Sequence, residues 1–175
     1  MSMKRLIVHE SIFEETVEEL KKQILTKKVG YPENENTDIG SLAAKRQLDL
    51  LIEQVNDAVD KGAKVEVGGM PFTEIDGAYY SPTLLTNITP EMKVWHEEVF
   101  GPVLSVVSFK TEDEAIKLAN DTIYGLGAVV FSKDKLRAKN VATLIDAGSV
   151  EVNGVSRWKE CNPFGGYKKS GMGRE

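Results

Sequence analysis

The sequence predicts an α/β domain built on a mainly parallel sheet. Short apolar segments with strand character, such as the β-branched run VLSVVSF at 103–109, alternate along the chain with amphipathic helical stretches. Two of those stretches open on the S/T-x-x-E pattern of a helix-starting capping box, Ser11 to Glu14 and Thr111 to Glu114. The 175 residues, 41% hydrophobic and 28% charged, suit one soluble globular domain with a sizeable core. Strand–helix–strand order of this kind implies βαβ units with right-handed crossovers.

The elements follow in order. KRLIVHE at 4–10 reads as a strand. After the Ser11 capping box, Phe13, Val17, Leu20 and Ile24 fall on one helix face. GYPENENTDIG at 30–40 has the Gly, Pro, Asn and Asp content of a loop. A longer helix is expected from about Ser41 to Lys61, with Leu48, Leu51, Ile52, Val55, Ala58 and Val59 as its apolar stripe and Gly62 as its stop. KVEVGG alternates like a strand, and YYSPTLLTNI is extended at least around its Ser-Pro pair. In the second half, the Thr111 helix precedes a buried strand, LGAVVFS. Ser132 is then expected to cap a helix running to about Asp146 and closed by Gly148, before a last strand, SVEVN. Asn153 follows that strand directly. Sites in parallel sheets gather beyond the carboxyl ends of strands, so the loop after Asn153 is the natural place for one. The tail beyond it shows little periodicity and reads as loop leaning on the sheet.

Composition excludes several classes. A net charge of −5 argues against a broad nucleic-acid surface. No apolar run approaches a membrane span, and the start lacks the apolar segment of a secretory signal. One cysteine forms no internal disulfide, so a reducing, cytoplasmic setting is expected.

Three segments hold groups capable of chemistry. In HEEVFGPVLSV at 96–106, Glu98 and Phe100 are two residues apart, so in extended chain both point to one side. A carboxylate accepts hydrogen bonds from paired ribose hydroxyls, and a phenyl ring packs on a flat heteroaromatic. Spacing alone leaves a solvated glutamate pair and a core phenylalanine as the alternative. In NGVSRWKECNPFGGYKKSGMGRE at 153–175, aromatic residues flank a glycine-rich loop, which fits a small-molecule pocket better than a phosphate cradle, since neither G-x-x-x-x-G-K-[ST] nor G-x-G-x-x-G occurs. The third is the lone thiol, Cys161. Neither His9 nor His96 is near it in sequence, no helix start follows it, and one Cys with two His has no zinc-ligand spacing, so a passive or pocket-lining thiol is the default.

The segments KRLIVHESIFEETVEEL, TDIGSLAAKRQ, GAYYSPTLLTNITPEM, EEVFGPVLSVVSF, DEAIKLANDTIYGLGAVVFSKD and PFGGYKKSGMGRE together resemble, in order and spacing, the NAD(P)-dependent aldehyde dehydrogenase superfamily. EEVFGPV with PFGGYKKSGMGRE is a specific pair, and the resemblance covers essentially the whole chain. It implies a three-layer αβα domain over residues 1–175, of the catalytic-domain type. It also implies a reaction in which a cysteine thiolate attacks an aldehyde, hydride passes to nicotinamide, and water releases the acid. By the same resemblance Glu98 holds the nicotinamide ribose, Phe100 lies against the nicotinamide, and Phe164 and Trp158 line the aldehyde tunnel. Asn153, Arg157 and Cys161 belong to the same pocket-forming loop.

The departures set further expectations. The family's nucleophile lies in a G-Q-x-C segment that would fall one residue before Met1, and Cys161 sits in the tunnel loop instead. The general base, the cofactor-binding domain and the C-terminal oligomerisation tail are likewise expected to be absent from these 175 residues. The full-length enzyme is expected to use NAD or NADP, act on a small hydroxy-, phospho- or semialdehyde and form a homo-oligomer. The chain alone is expected to bind no cofactor and to be inactive. Two other readings stay open: a non-catalytic protein that self-associates or joins a complementary fragment, and a cysteine hydrolase using Cys161.

Overall fold

The computed structural model describes residues 3–154, 163–171 and 173–174. They form two compact units, divided after Ser108.

The first unit holds a four-stranded sheet in the order β1-β4-β3-β2, built from β1 (Arg5–His9), β2 (Lys64–Val67), β3 (Thr83–Thr86) and β4 (Val103–Phe109). β3 and β4 pair in parallel, with Leu84 opposite Leu104, while β2 adds an antiparallel edge. All four residues of β3 are buried, as befits a strand covered on both faces. The helix α1 (Phe13–Leu25) lays the expected stripe on one face: Val17 joins Val8, Leu84 and Val106 in a buried cluster, ringed by Phe13, Leu20 and Ile24. The second helix, α2 (Lys45–Asp60), buries Leu48, Leu51, Gln54, Val55 and Ala58, and Gly62 closes it at φ 97°. Val59, expected in the stripe, is exposed at the edge of that face.

Two helix starts differ from expectation. The Ser11 capping box does not form. The His9 ring nitrogen accepts from the Ser11 amide and pairs with the Ser11 hydroxyl at 2.8 Å, so a 3-10 turn at Glu10–Ile12 runs into α1. α2 begins at Lys45, four residues later than expected. A single helical turn, α3 (Lys93–His96), has no counterpart in the sequence reading. Its first amide is held from outside the segment, because the Asp57 carboxylate accepts from the Lys93 N–H at 2.8 Å.

In the second unit, α4 (Glu112–Asn120) begins as expected: Thr111 accepts from the Glu114 amide, and Glu114 in turn accepts from the Lys110 amide. The two-residue strand β5 (Tyr124–Gly125) precedes β6 (Gly127–Val130). β6 crosses through α5 (Lys135–Ala142) to the parallel strand β7 (Ser149–Val152). Asp134, not Ser132, caps α5, accepting from the Leu136 and Arg137 amides. α5 ends short of Asp146, and Gly148 instead lets β7 begin against the tail: a Cβ there would overlap the Gly165 carbonyl. The tail is not all loop, since β8 (Tyr167–Lys168) pairs antiparallel with β5. The α/β class with a mainly parallel sheet is thus borne out. Among the described residues no helix is long and apolar enough to cross a membrane.

Candidate functional site

The segment from Glu97 to Gly101 leaves α3 and enters β4 as an extended turn. Val99 is 4% exposed and points into the first unit, while Glu98 and Phe100 on either side of it are exposed, Phe100 at 54%. One carboxylate and one aromatic ring are thus solvent-exposed on either side of an anchored residue, and Glu97 before them is exposed as well.

Several partners fix that backbone. At its start, the buried Gln54 of α2 donates to the Glu97 carboxylate at 2.9 Å and to the Glu98 carbonyl at 3.2 Å. At its end, the Lys4 ammonium donates to the Gly101 carbonyl at 3.0 Å. Burial holds the Lys4 ammonium below its usual pKa, and the nearby Glu98 carboxylate opposes that shift. Gly101 lies so close to α2 that a Cβ would overlap a Leu51 methyl. Just upstream, the guanidinium of Arg5 stacks over the buried Trp95 ring, 4.7 Å from its centroid, tying α3 to β1. Lys4, Arg5 and Gln54 are not among the candidate site residues read from the sequence. A lone amide in the apolar stripe of α2 was the one available signal, and helix position alone does not say what it binds.

In the second unit, Asn153 stands at the end of β7 with φ 52°, a conformation asparagine tolerates better than most residues. Its amide grips Ser132 from both sides: Oδ1 accepts from the Ser132 N–H at 2.9 Å and Nδ2 donates to the Ser132 carbonyl at 2.8 Å. The Asn153 N–H donates to the Val130 carbonyl, so its side chain extends the β6–β7 pairing by one peptide-like unit. Both polar ends of that amide are therefore engaged at the mouth of the expected pocket loop. Phe164 is half-buried in the turn before β8. Arg157, Trp158 and Cys161 lie outside the described residues.

Two of the described cations of the glycine-rich tail, Lys168 and Arg174, are engaged internally. Arg174 stacks on Tyr167 at 5.6 Å and donates to the carbonyls of Gly166 and Gly173. Lys168 donates to the Asn120 carbonyl and sits 3.4 Å from the Asp146 carboxylate. These side chains line an open depression of about 440 Å³, with both cations already partnered. That arrangement serves tail packing rather than a phosphate.

A sequence profile of the aldehyde dehydrogenase family matches residues 1–175. The chain is 44% identical over 172 residues to a chloroplastic betaine aldehyde dehydrogenase of Atriplex hortensis, a match covering 98% of this chain and 34% of that one. It is 43% identical over 175 residues to the succinate-semialdehyde dehydrogenase [NADP(+)] of Deinococcus radiodurans, covering all of this chain and 36% of the relative. Among solved structures, betaine aldehyde dehydrogenase of Staphylococcus aureus in complex with NAD+ superposes with a TM-score of 0.92 at 37% identity, over 98% of this chain and 35% of that one. The chain spans about a third of the length of the curated relatives it matches.

Proposed function

The chain belongs to the aldehyde dehydrogenase family, and on that premise we propose that its 97–101 turn receives the nicotinamide end of NAD or NADP in an enzyme that oxidises an aldehyde to a carboxylic acid. When bound, the nicotinamide supplies the two-electron acceptor for that oxidation. The observation that carries the reading is the solvent-facing pair on a clamped backbone. Glu98 offers an acceptor-only carboxylate to paired ribose hydroxyls, and the exposed Phe100 ring offers an apolar plane to a flat heteroaromatic ring. The groups present fit that end of the cofactor. Two relatives, a betaine aldehyde dehydrogenase solved with NAD+ and an NADP(+) succinate-semialdehyde dehydrogenase, support a dinucleotide without choosing between the two forms.

Phe164, Trp158, Asn153, Arg157 and Cys161 form, in this proposal, the aldehyde-side wall. Arg157 favours an aldehyde with a remote anionic group, such as a semialdehyde or a phospho-aldehyde, over a cationic one. The test is a kinetic panel on an intact aldehyde dehydrogenase bearing these 175 residues. Glu98→Ala is expected to raise the cofactor KM about tenfold, and Arg157→Ala to lower kcat/KM selectively on anionic aldehydes. A cofactor KM unmoved by Glu98→Ala sinks the cofactor assignment, and equal losses on all aldehydes remove Arg157. The 175-residue polypeptide alone is expected to show background oxidation only, because its single thiol, Cys161, is not in a G-Q-x-C segment.

A second reading, self-association without catalysis, is favoured by one observation: Phe131 and Leu136 are each 70% exposed in the second unit. Light scattering on the purified chain decides it, since a monomer mass at all concentrations removes this reading.

A further inference from the structure

We propose that Gln54 is a positioning residue for the cofactor-facing turn, a role that rests on the assignment of Glu98 and Phe100 given above. Gln54 is 1% exposed, in the middle of a helix whose other inward residues are apolar. A buried amide in that setting is costly unless its donors and acceptor are matched. Here they are matched on one side only. Nε2 reaches two acceptors contributed by consecutive residues of the turn, the Glu97 carboxylate and the Glu98 carbonyl. Oε1 is buried without a hydrogen-bond partner among the described residues.

The asymmetry identifies what the side chain is for. Rotating the amide by half a turn would set Oε1 against a carboxylate oxygen and a carbonyl oxygen, so the donor side is the one the turn requires. A hydrogen bond to a charged acceptor is among the stronger kinds. The carbonyl of Glu98 belongs to the peptide that joins Glu98 to Val99. Fixing it sets the direction in which the Glu98 carboxylate and, one residue past Val99, the Phe100 ring leave the backbone. Leu51, one helical turn before Gln54, meets Gly101 at the other end of the same turn. One face of α2 therefore holds both ends of the segment from 97 to 101, the amide at one and the leucine at the other. Neither residue needs to touch the cofactor to govern where its partners stand.

The experiment has two readouts. In the 175-residue chain, Gln54→Met keeps the side-chain length and removes the donor. It is expected to speed amide hydrogen exchange at 98–101 about tenfold, with exchange in α1 and β4 changed by less than about twofold. In an intact aldehyde dehydrogenase bearing these residues, the same substitution is expected to raise the cofactor KM about fivefold, with kcat and the aldehyde KM within about twofold. The double variant Gln54→Glu/Glu97→Gln restores a hydrogen-bonded pair at this place with the donor on the other side. It does not restore the bond to the Glu98 carbonyl, so its cofactor KM is expected to stay raised. It also carries the test if Gln54→Met fails to fold. Glu98→Ala is measured alongside. If Glu98→Ala raises the cofactor KM while both Gln54 variants leave it unchanged, the positioning role is overturned and the site assignment stands. If Glu98→Ala also leaves it unchanged, the site assignment itself has failed.

Discussion

The two compact units are built to different standards of burial. In the first, Val8, Val17, Leu51, Val55, Leu84, Leu85, Met92 and Val106 are all nearly or wholly inaccessible, and they come from strands and helices distant in sequence. In the second, Ala138 is the one fully buried apolar side chain among the described residues, while Ile123, Val129, Phe131, Leu136 and Leu144 are exposed by 41–70%. A stretch of that length with so little buried apolar surface has small means to offset its conformational entropy. It relies on backbone pairing and on side-chain clamps such as Asn153 with Ser132. The proposed cofactor turn thus stands on a rigid body. The proposed aldehyde-side wall begins from a unit held by hydrogen bonds, where loop variation costs less.

The largest expected effect breaks or confirms this contrast at once. Leu84→Ala should cost about 3–5 kcal/mol, because it empties a site ringed by Val8, Val17 and Val106. Leu136→Ala removes the same atoms from a side chain that is 70% exposed, and should change stability by less than about 0.5 kcal/mol. Urea midpoints of the two variants provide the measurement. Similar losses would mean that the second unit has a core as demanding as the first.

How far the sequence revealed this division depends on the range of the interactions involved. The α1 stripe and the Thr111 capping box are local patterns, and each appears in the structure where the sequence put it. The failures are long-range or competitive. α3 exists because Asp57, 36 residues earlier, supplies the acceptor for its first amide. β8 exists because Tyr124–Gly125 lies free to pair with it. At α5, Ser132 and Asp134 both offer capping oxygens. The carboxylate wins, and the Ser132 hydroxyl instead accepts from the Asp134 amide. Gln54 was visible as a polar residue in an apolar stripe, but which acceptors it meets is decided by the turn at 97–98, outside any local window.

An intermediate effect sharpens the description of the first unit through pH. Tyr80 is 2% exposed, and burial pushes its phenol up to about 12. The folded state therefore keeps this proton over a range in which the unfolded chain has lost it. The stabilisation of the neutral phenol is fully present below pH 10 and is lost as pH rises from about 10 towards 12, at up to about 1.4 kcal/mol per pH unit. Tyr80→Phe should flatten that part of the stability–pH curve. An unchanged alkaline slope in the variant would mean that Tyr80 is hydrated in the folded state.

The smallest expected effect lies where the second unit depends on a clamp. Asn153→Ala loses both bonds to the Ser132 backbone and leaves a residue with a Cβ at φ 52°. The site is exposed, so water replaces part of what is lost, and a cost of about 1–2 kcal/mol is expected. Asn153→Gly separates the two contributions, because it relieves the backbone and still removes the clamp. Asn153→Asp keeps the acceptor for the Ser132 amide but sets a carboxylate oxygen against the Ser132 carbonyl. If the clamp dominates, the glycine variant should be nearly as unstable as the alanine variant, and exchange at the Ser132 amide should rise in both while staying slow in the aspartate variant. If glycine instead restores stability, the left-handed backbone is the costly feature. The end of β7 would then be set by conformation rather than by the side-chain amide that continues its ladder.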